Sequence, residues 1–242
     1  MTNSKKELRK RWLEPRGKAV LEGLSDLFFS AQYSGEHLVT PDRIEVLLEE
    51  MSASGEVSGY RDLRGITMNG GVSGVDFGQF DFSFAVLNFN FVNCDLTNAC
   101  FDGATIRGSL SKTLDSASFR HADLRGCFVA GCSARDCNFD NSNLGSTSFE
   151  GTDLRGSNFS NSSCTLTKFF GSNLIRCDFH GAYLRETPFQ NVLLDETTDF
   201  RGAQLVDIFD QELRDKFGNI IGRRTDWRRA KTDETTAYIR NT

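Results

Sequence analysis

Several residue types that often carry chemistry occur in this chain, but their spacing indicates packing. Cys127, Cys132 and Cys137 follow one another at intervals of five, and none of the seven cysteines stands in a Cys-x-x-Cys pair. Such a pair is typical of structural zinc sites, whereas a buried free thiol packs like a small hydrophobic group. We therefore predict that these thiols fill space, and we expect no metal site and no cofactor.

The other candidate groups do not form a catalytic set. The chain has three histidines, His37, His121 and His180. Asp123, Asp153 and Asp178 have the chemistry of paired acids and bases, but each stands at the polar position of the repeat described below. Neither a phosphate-binding glycine loop nor a nucleophile elbow occurs between a strand and a helix. We predict that the protein is not an enzyme and has no catalytic residue.

Composition places the chain in a broad class. Its 242 residues carry a net charge of −5, and its longest apolar runs, such as Val46 to Leu48, are far too short to span a bilayer. The charged stretch from Lys5 to Arg11 lacks the apolar core of a secretory signal. Seven cysteines, an odd number, favour a reducing compartment. We expect a cytoplasmic protein.

One pattern dominates the middle of the chain: an apolar residue recurs at every fifth position. The full series is Leu114, Phe119, Leu124, Val129, Ala134, Phe139, Leu144, Phe149, Leu154, Phe159, Cys164, Phe169, Leu174, Phe179, Leu184, Phe189 and Leu194. Two positions before almost every member stands a small residue, and the residue between them is usually polar. A period of five fits neither a helix nor a plain strand.

A short extended segment explains this period. Its alternate residues point to one side, so the small residue and the apolar residue face inward and the polar residue faces outward. The remaining two residues turn a corner, usually with Gly or Asn second. Leu166, Arg176 and Glu186 depart from this preference and predict a different turn. Four sides close a square of about 20 residues, stacked at about 4.8 Å.

The stretches CDLTNACFDGA, FRHADLRGC and FEGTDLRGSNFSN make the chain resemble the pentapeptide-repeat family. This resemblance implies a mainly β fold, a right-handed quadrilateral β-helix, over roughly residues 60 to 205. The register slips between Ile106 and Leu114, where GSLSKT predicts a bulge or a small loop, and again before Phe200.

The sequence divides into three parts, with boundaries at residues 1–58, 59–205 and 206–242. The first is a helical capping unit: Ser4 and Glu7 form a capping box, and Thr40 and Pro41 begin a later helix. In the last part, the stripe Val206, Phe209, Leu213 and Phe217 predicts a helical cap before Gly218. A basic tail follows around Trp227.

We interpret the protein as a non-catalytic scaffold or adaptor that binds a protein partner. The candidate partner-binding residues are Leu166, Phe170, Ile175 and Tyr183. Leu166, Phe170 and Ile175 stand at corners and Tyr183 on an outward side position, and exposed apolar clusters often mark contacts. Alternatively, the C-terminal segment covers them. The C-terminal helix is also a possible homodimer contact, and we expect neither a membrane nor direct nucleic-acid binding.

The resemblance also implies an alternative function. The family includes quinolone-resistance proteins that mimic DNA and occupy the DNA-binding saddle of a type II topoisomerase. Residues 60 to 205 contain 16 Asp and Glu against 12 Lys and Arg, a net charge of −4. Duplex DNA of the same length, about 35 Å, carries about 20 negative charges. The sequence therefore favours the scaffold over the DNA mimic.

Overall fold

The computed structural model describes residues 5–34, 41–52, 61–208, 213–214, 220–222, 232 and 237–239. Some predicted features lie outside these residues: Ser4, His37, Thr40, Phe209, Phe217, Gly218 and the basic tail at 223–231. None of the described helices is both long enough and apolar enough to cross a lipid bilayer.

Residues 61–208 form a β-solenoid of about seven turns with four-sided coils. We number the sides by the outward residue of one coil: Asn138 on side one, Asn143 on side two, Ser148 on side three and Asp153 on side four. Parallel bridges join equivalent residues of successive coils, such as Asn138 with Asn158 and Asp153 with Asn173. The predicted repeat of about 20 residues is therefore confirmed.

The longest strands lie in the early coils. They are β1 (Thr67–Ser73), β2 (Val86–Asp95), β3 (Thr105–Arg107) and β4 (Leu110–Thr113), and all their pairings are parallel. Strands β5 (Tyr183–Arg185) and β6 (Gln204–Val206) pair near the other end. The predicted slip before Leu114 is confirmed, because the β2–β4 register shifts between Phe91 and Cys94. The slip near Phe200 is also present: Asp178 pairs with Asp199, 21 residues later.

The solenoid interior is a column of phenylalanine rings. Phe119, Phe139 and Phe159 are fully buried, with centroids 5.0 and 4.9 Å apart and planes within 13° of parallel. The stacked column runs on through Phe82, Phe101, Phe179 and Phe200. A spacing of one ring per coil follows directly from the spacing of hydrogen-bonded strands.

The small inward residues tie neighbouring coils together. The buried hydroxyls of Thr147, Thr152 and Ser157 donate hydrogen bonds of 2.7 to 2.8 Å to backbone carbonyl oxygens 23 residues earlier. A buried hydroxyl without a partner would cost about 1–3 kcal/mol. These bonds explain why the position tolerates Ser and Thr inside an otherwise apolar core.

The prediction of a different turn at Leu166, Arg176 and Glu186 is wrong. These residues have φ angles of 58°, 64° and 51°, in the same left-handed region as the corner glycines. The neighbouring coil holds Leu166 in this conformation, because its N–H donates to the Arg185 carbonyl at 2.7 Å. The ladder thus outweighs a local preference of about 1–2 kcal/mol.

The N-terminal helices lie against the first coil. They are α1 (Lys5–Lys10), a 3-10 turn (Arg11–Leu13), α2 (Pro15–Ser34) and α3 (Pro41–Ser52). The Phe28 ring on α2 lies 6.1 Å from Phe77 and 5.8 Å from Phe89, centroid to centroid. The buried Arg11 guanidinium pairs with buried Asp62 at 2.7 Å. Apolar contact and a buried ion pair therefore both hold this unit to the solenoid.

The predicted C-terminal helix is not confirmed. Two residues of its stripe lie in strands: Val206 ends β6, and Leu213 begins β7 (Leu213–Arg214), which pairs antiparallel with β8 (Ile220–Gly222). Strand β9 (Ala237–Ile239) adds in parallel to β6. The last coil offers unpaired backbone groups at its edge, and strand pairing satisfies them where a helix would not. The homodimer contact expected of this segment stays a prediction.

Candidate protein-binding surface

The cysteines that looked like metal ligands are part of the core. Cys127, Cys132 and Cys137 are buried on three successive sides, and the thiols of Cys127 and Cys137 donate to carbonyl oxygens of the preceding coil at 3.1 and 3.0 Å. Burial raises the pKa of Cys127 to about 12 and that of Cys137 well above its usual value. Within the described residues, no group of three His, Cys, Asp or Glu side chains is placed to hold a metal ion.

The outward acids Asp123 and Asp153 are each bound by the arginine of their own repeat and by one of the preceding coil. Arg125 donates to both carboxylate oxygens of Asp123, at 3.0 and 2.8 Å, and Arg107 adds a third bond at 2.8 Å. Asp153 is held in the same way by Arg155 and Arg135. These bonds, that of Arg125 first, hold the pKa of Asp123 well below its usual range. The carboxylates are therefore ionised at neutral pH and already bound by arginines, which does not suit proton transfer.

The structure separates the four predicted contact residues. Leu166, 45% exposed, stands at the corner between sides two and three, and half-buried Phe170 stands at the corner between sides three and four. Ile175 is half-buried one corner further on, between sides four and one. Tyr183 is half-buried on side two. Leu166 and Phe170 flank side three, whereas Phe170 and Ile175 flank side four.

Side three carries an exposed aromatic residue that the sequence interpretation overlooked. Phe128 is 57% exposed and occupies the outward position where most repeats have a polar residue. Phe128 lies in register with Ser148 of the next coil and with Lys168 of the coil after that. In that third coil, Lys168 stands between Leu166 and Phe170. The sequence did contain a signal, because Phe128 is an aromatic residue between an inward Cys127 and an inward Val129. We call Phe128, Leu166 and Phe170 the side-three surface.

The fold and this surface define the chain as a parallel β-solenoid whose sides are five residues long. Comparison with protein families identifies the repeats: residues 114–151, 129–161, 162–198 and 172–208 match the model for pentapeptide repeats, in eight copies. Residues 114–208 therefore belong to the pentapeptide-repeat family, and the predicted resemblance is confirmed. No curated protein matches the chain significantly.

Solved structures similar to this chain are also pentapeptide-repeat proteins. HetL, involved in heterocyst differentiation regulation in the cyanobacterium Nostoc sp. strain PCC 7120, is 20% identical; the match covers 68% of this chain and 86% of HetL, with a TM-score of 0.30. QnrB1, a plasmid-mediated fluoroquinolone resistance protein, is 19% identical over 72% of this chain and 86% of its own, with a TM-score of 0.39. A protein of the Arabidopsis thaliana thylakoid lumen is 22% identical over 52% and 83%, with a TM-score of 0.26.

Proposed function

We propose that this protein is a non-catalytic scaffold that binds another protein through the side-three surface. The observation that carries the proposal is the exposure of Phe128, 57%, on a side whose backbone is fixed by ladder bonds to the coils before and after it. A rigid surface with an exposed aromatic anchor loses little conformational entropy on binding. Leu166 and Phe170 extend the apolar area toward both edges of the same side.

Substitution of the anchor tests the proposal. Isotope-labelled co-purification from the native host would compare the wild-type protein with Phe128→Asp. Asn138→Asp is the matched control, because it adds the same charge on side one. We expect specifically enriched proteins to be lost with Phe128→Asp and kept with Asn138→Asp. Equal recovery with both variants, or no specific enrichment by the wild type, would refute the proposal.

Leu166 allows a second test without loss of stability. Its left-handed φ of 58° suits glycine better than leucine. Leu166→Gly should therefore leave the thermal midpoint unchanged or slightly higher, while it weakens partner recovery. Phe170→Asp should weaken recovery as well. If Leu166→Gly keeps full recovery, the corner is not part of the surface.

The arginine bonds weigh against DNA mimicry. A mimic needs free carboxylates in rows, but Asp123 and Asp153 are each bound by two arginines, and Asp199 is bound by Arg201 at 2.5 Å. We expect purified protein to leave DNA supercoiling by a type II topoisomerase unaffected. Inhibition in that assay, relieved by reversing the charge of outward acids, would favour the mimic instead.

A further inference from the structure

A notch of about 460 Å³ interrupts the corner between sides two and three. It exists because the coil that turns at Gly145 and Ser146 has short side chains there, whereas Arg125 in the preceding coil and Leu166 in the following coil project past it. Ser163 and Thr165 complete its wall. The notch adjoins the side-three surface, since Leu166 belongs to both.

The notch is lined by hydrogen-bond donors. Among the described residues, the side-chain hydroxyls of Ser146, Ser163 and Thr165 have no hydrogen-bond partner. The side-chain oxygen Oδ1 of Asn143 accepts from the Gly145 N–H at 3.2 Å, and the side-chain nitrogen Nδ2 remains a donor at the rim. Four side chains that can each donate a hydrogen bond therefore line this space.

The charge at this corner is positive, although the whole chain is acidic. Asp123 is shared by Arg107 and Arg125, so two guanidinium groups face one carboxylate. Arg185 and Glu186, further along the corner, pair with each other at 3.1 Å. One positive charge is therefore left over beside the notch. Arg125 binds Asp123 through Nε and Nη2, which leaves Nη1 as an outward donor.

The geometry points to a carboxylate-binding notch that receives an Asp or Glu side chain of a protein partner, with a neighbouring apolar side chain of that partner resting on Leu166. One uncompensated charge and several hydroxyls suit a singly charged carboxylate. A phosphorylated side chain carries nearly two charges and normally draws a cluster of arginines. This inference rests on the proposed protein-binding function and gives the partner its chemistry.

The chain supplies matched variants for the test. Gly145 has an ordinary negative φ, and a Cβ there would lie 3.4 Å from its nearest neighbours, Arg125 Cγ and Asn143 Oδ1, so Gly145→Phe fills the notch without backbone strain. Arg125→Gln removes the charge. Arg155→Gln is the control, because Arg155 binds Asp153 as Arg125 binds Asp123, whereas its own corner has no such notch: Asp136 lies close over Gly156.

The probe is the blocked peptide acetyl-Gly-Glu-Leu-Gly-amide, added to ¹⁵N-labelled full-length protein. We expect saturable shifts of the Gly145, Ser146 and Leu166 amide signals. The control peptide acetyl-Gly-Gln-Leu-Gly-amide, in which Gln replaces Glu, should bind about tenfold more weakly. It lacks the charged hydrogen-bond partner of the Glu peptide. Gly145→Phe should abolish binding, Arg125→Gln should weaken it about tenfold, and Arg155→Gln should keep it.

Three results would overturn the inference: no saturable shift at this corner, equal binding of the Gln peptide, or unchanged binding by Gly145→Phe. Host co-purification separates this failure from that of the proposed function. If Phe128→Asp loses the partner and Gly145→Phe keeps it, the protein is a scaffold and the notch is not its carboxylate site. If Phe128→Asp changes nothing, the side-three surface itself fails.

Discussion

Phe139 and Phe128 show how position in the repeat decides what one aromatic side chain does. Phe139 stands at an inward position and is completely buried in the ring column, whereas Phe128 stands at an outward position and is 57% exposed. The same residue type thus stabilises the core in one place and offers a contact in the other. The difference follows from the alternation of an extended segment.

The two phenylalanines predict opposite effects on stability. Phe139→Ala removes a ring stacked between Phe119 and Phe159 and should lower the free energy of unfolding by about 3–5 kcal/mol. Phe128→Ala should change it by less than about 0.5 kcal/mol. Urea unfolding followed by circular dichroism measures both. Equal effects would mean that Phe139 is not buried.

Thiol reactivity should follow burial. Six cysteines are buried, and desolvation raises the pKa of Cys94 to about 11 and that of Cys164 to about 12. Only Cys100 is partly exposed, although burial raises its pKa too. At pH 8, a thiol reagent should label Cys100 first and the other six only after unfolding. Rapid labelling of several native thiols, detected by mass spectrometry, would contradict the packing.

The helical unit depends on a buried ion pair with the first coil. Asp62 is desolvated, which by itself raises its pKa, but its bonds to Arg64 and Arg11 outweigh this and hold the pKa well below the usual range. The ionised carboxylate therefore stabilises the fold above the unfolded pKa of about 3.9, and this stabilisation is lost as the pH falls below that value.

Arg11→Met should therefore destabilise the protein at neutral pH by about 3 kcal/mol, because it removes the Arg11 bonds from a buried carboxylate. Hydrogen exchange of the α1 and α2 amides should show the loss near the helices first. Arg120→Met is the control, since the Arg120 side chain is exposed and its guanidinium lies 4.0 Å from the Asp102 carboxylate. Similar effects of both substitutions would show that the Arg11 pair is not an anchor.

The sequence predicted the inward residues correctly, because a period of five leaves only one way to bury Phe119 and Phe139. It failed where neighbouring coils decide the local structure. Leu166 takes a left-handed corner because Arg185, one coil later, accepts its N–H. Val206 lies in a strand because β6 pairs with β5 and β9, and Leu213 because β7 pairs with β8, partners far along the chain that the apolar stripe does not reveal. The notch depends on side-chain lengths at Arg125, Gly145 and Leu166, 20 and 21 residues apart, and on where their hydrogen bonds go.

The complete solenoid combines a rigid tube with an uneven surface. The exposed large hydrophobic residues of residues 61–208 are Val92, Phe128, Leu166 and Leu193, which lie on sides three and four or at the corners bounding side three. Side one, by contrast, presents polar residues such as Ser118, Asn138 and Asn158. This asymmetry gives the tube a preferred contact face, as expected for a binding scaffold and not for a uniformly acidic DNA mimic.

Disulfide trapping tests the stacked-coil architecture most directly. Asn138 and Asn158 are bridge partners on side one, so Asn138→Cys/Asn158→Cys should cross-link on mild oxidation, since adjacent strands bring Cα atoms within disulfide range. Asn138→Cys/Asp153→Cys places the thiols on different sides and should remain reduced. Peptide mapping by mass spectrometry reads both. Cross-linking of the control pair with no cross-link between positions 138 and 158 would contradict the twenty-residue coil on which the whole account depends.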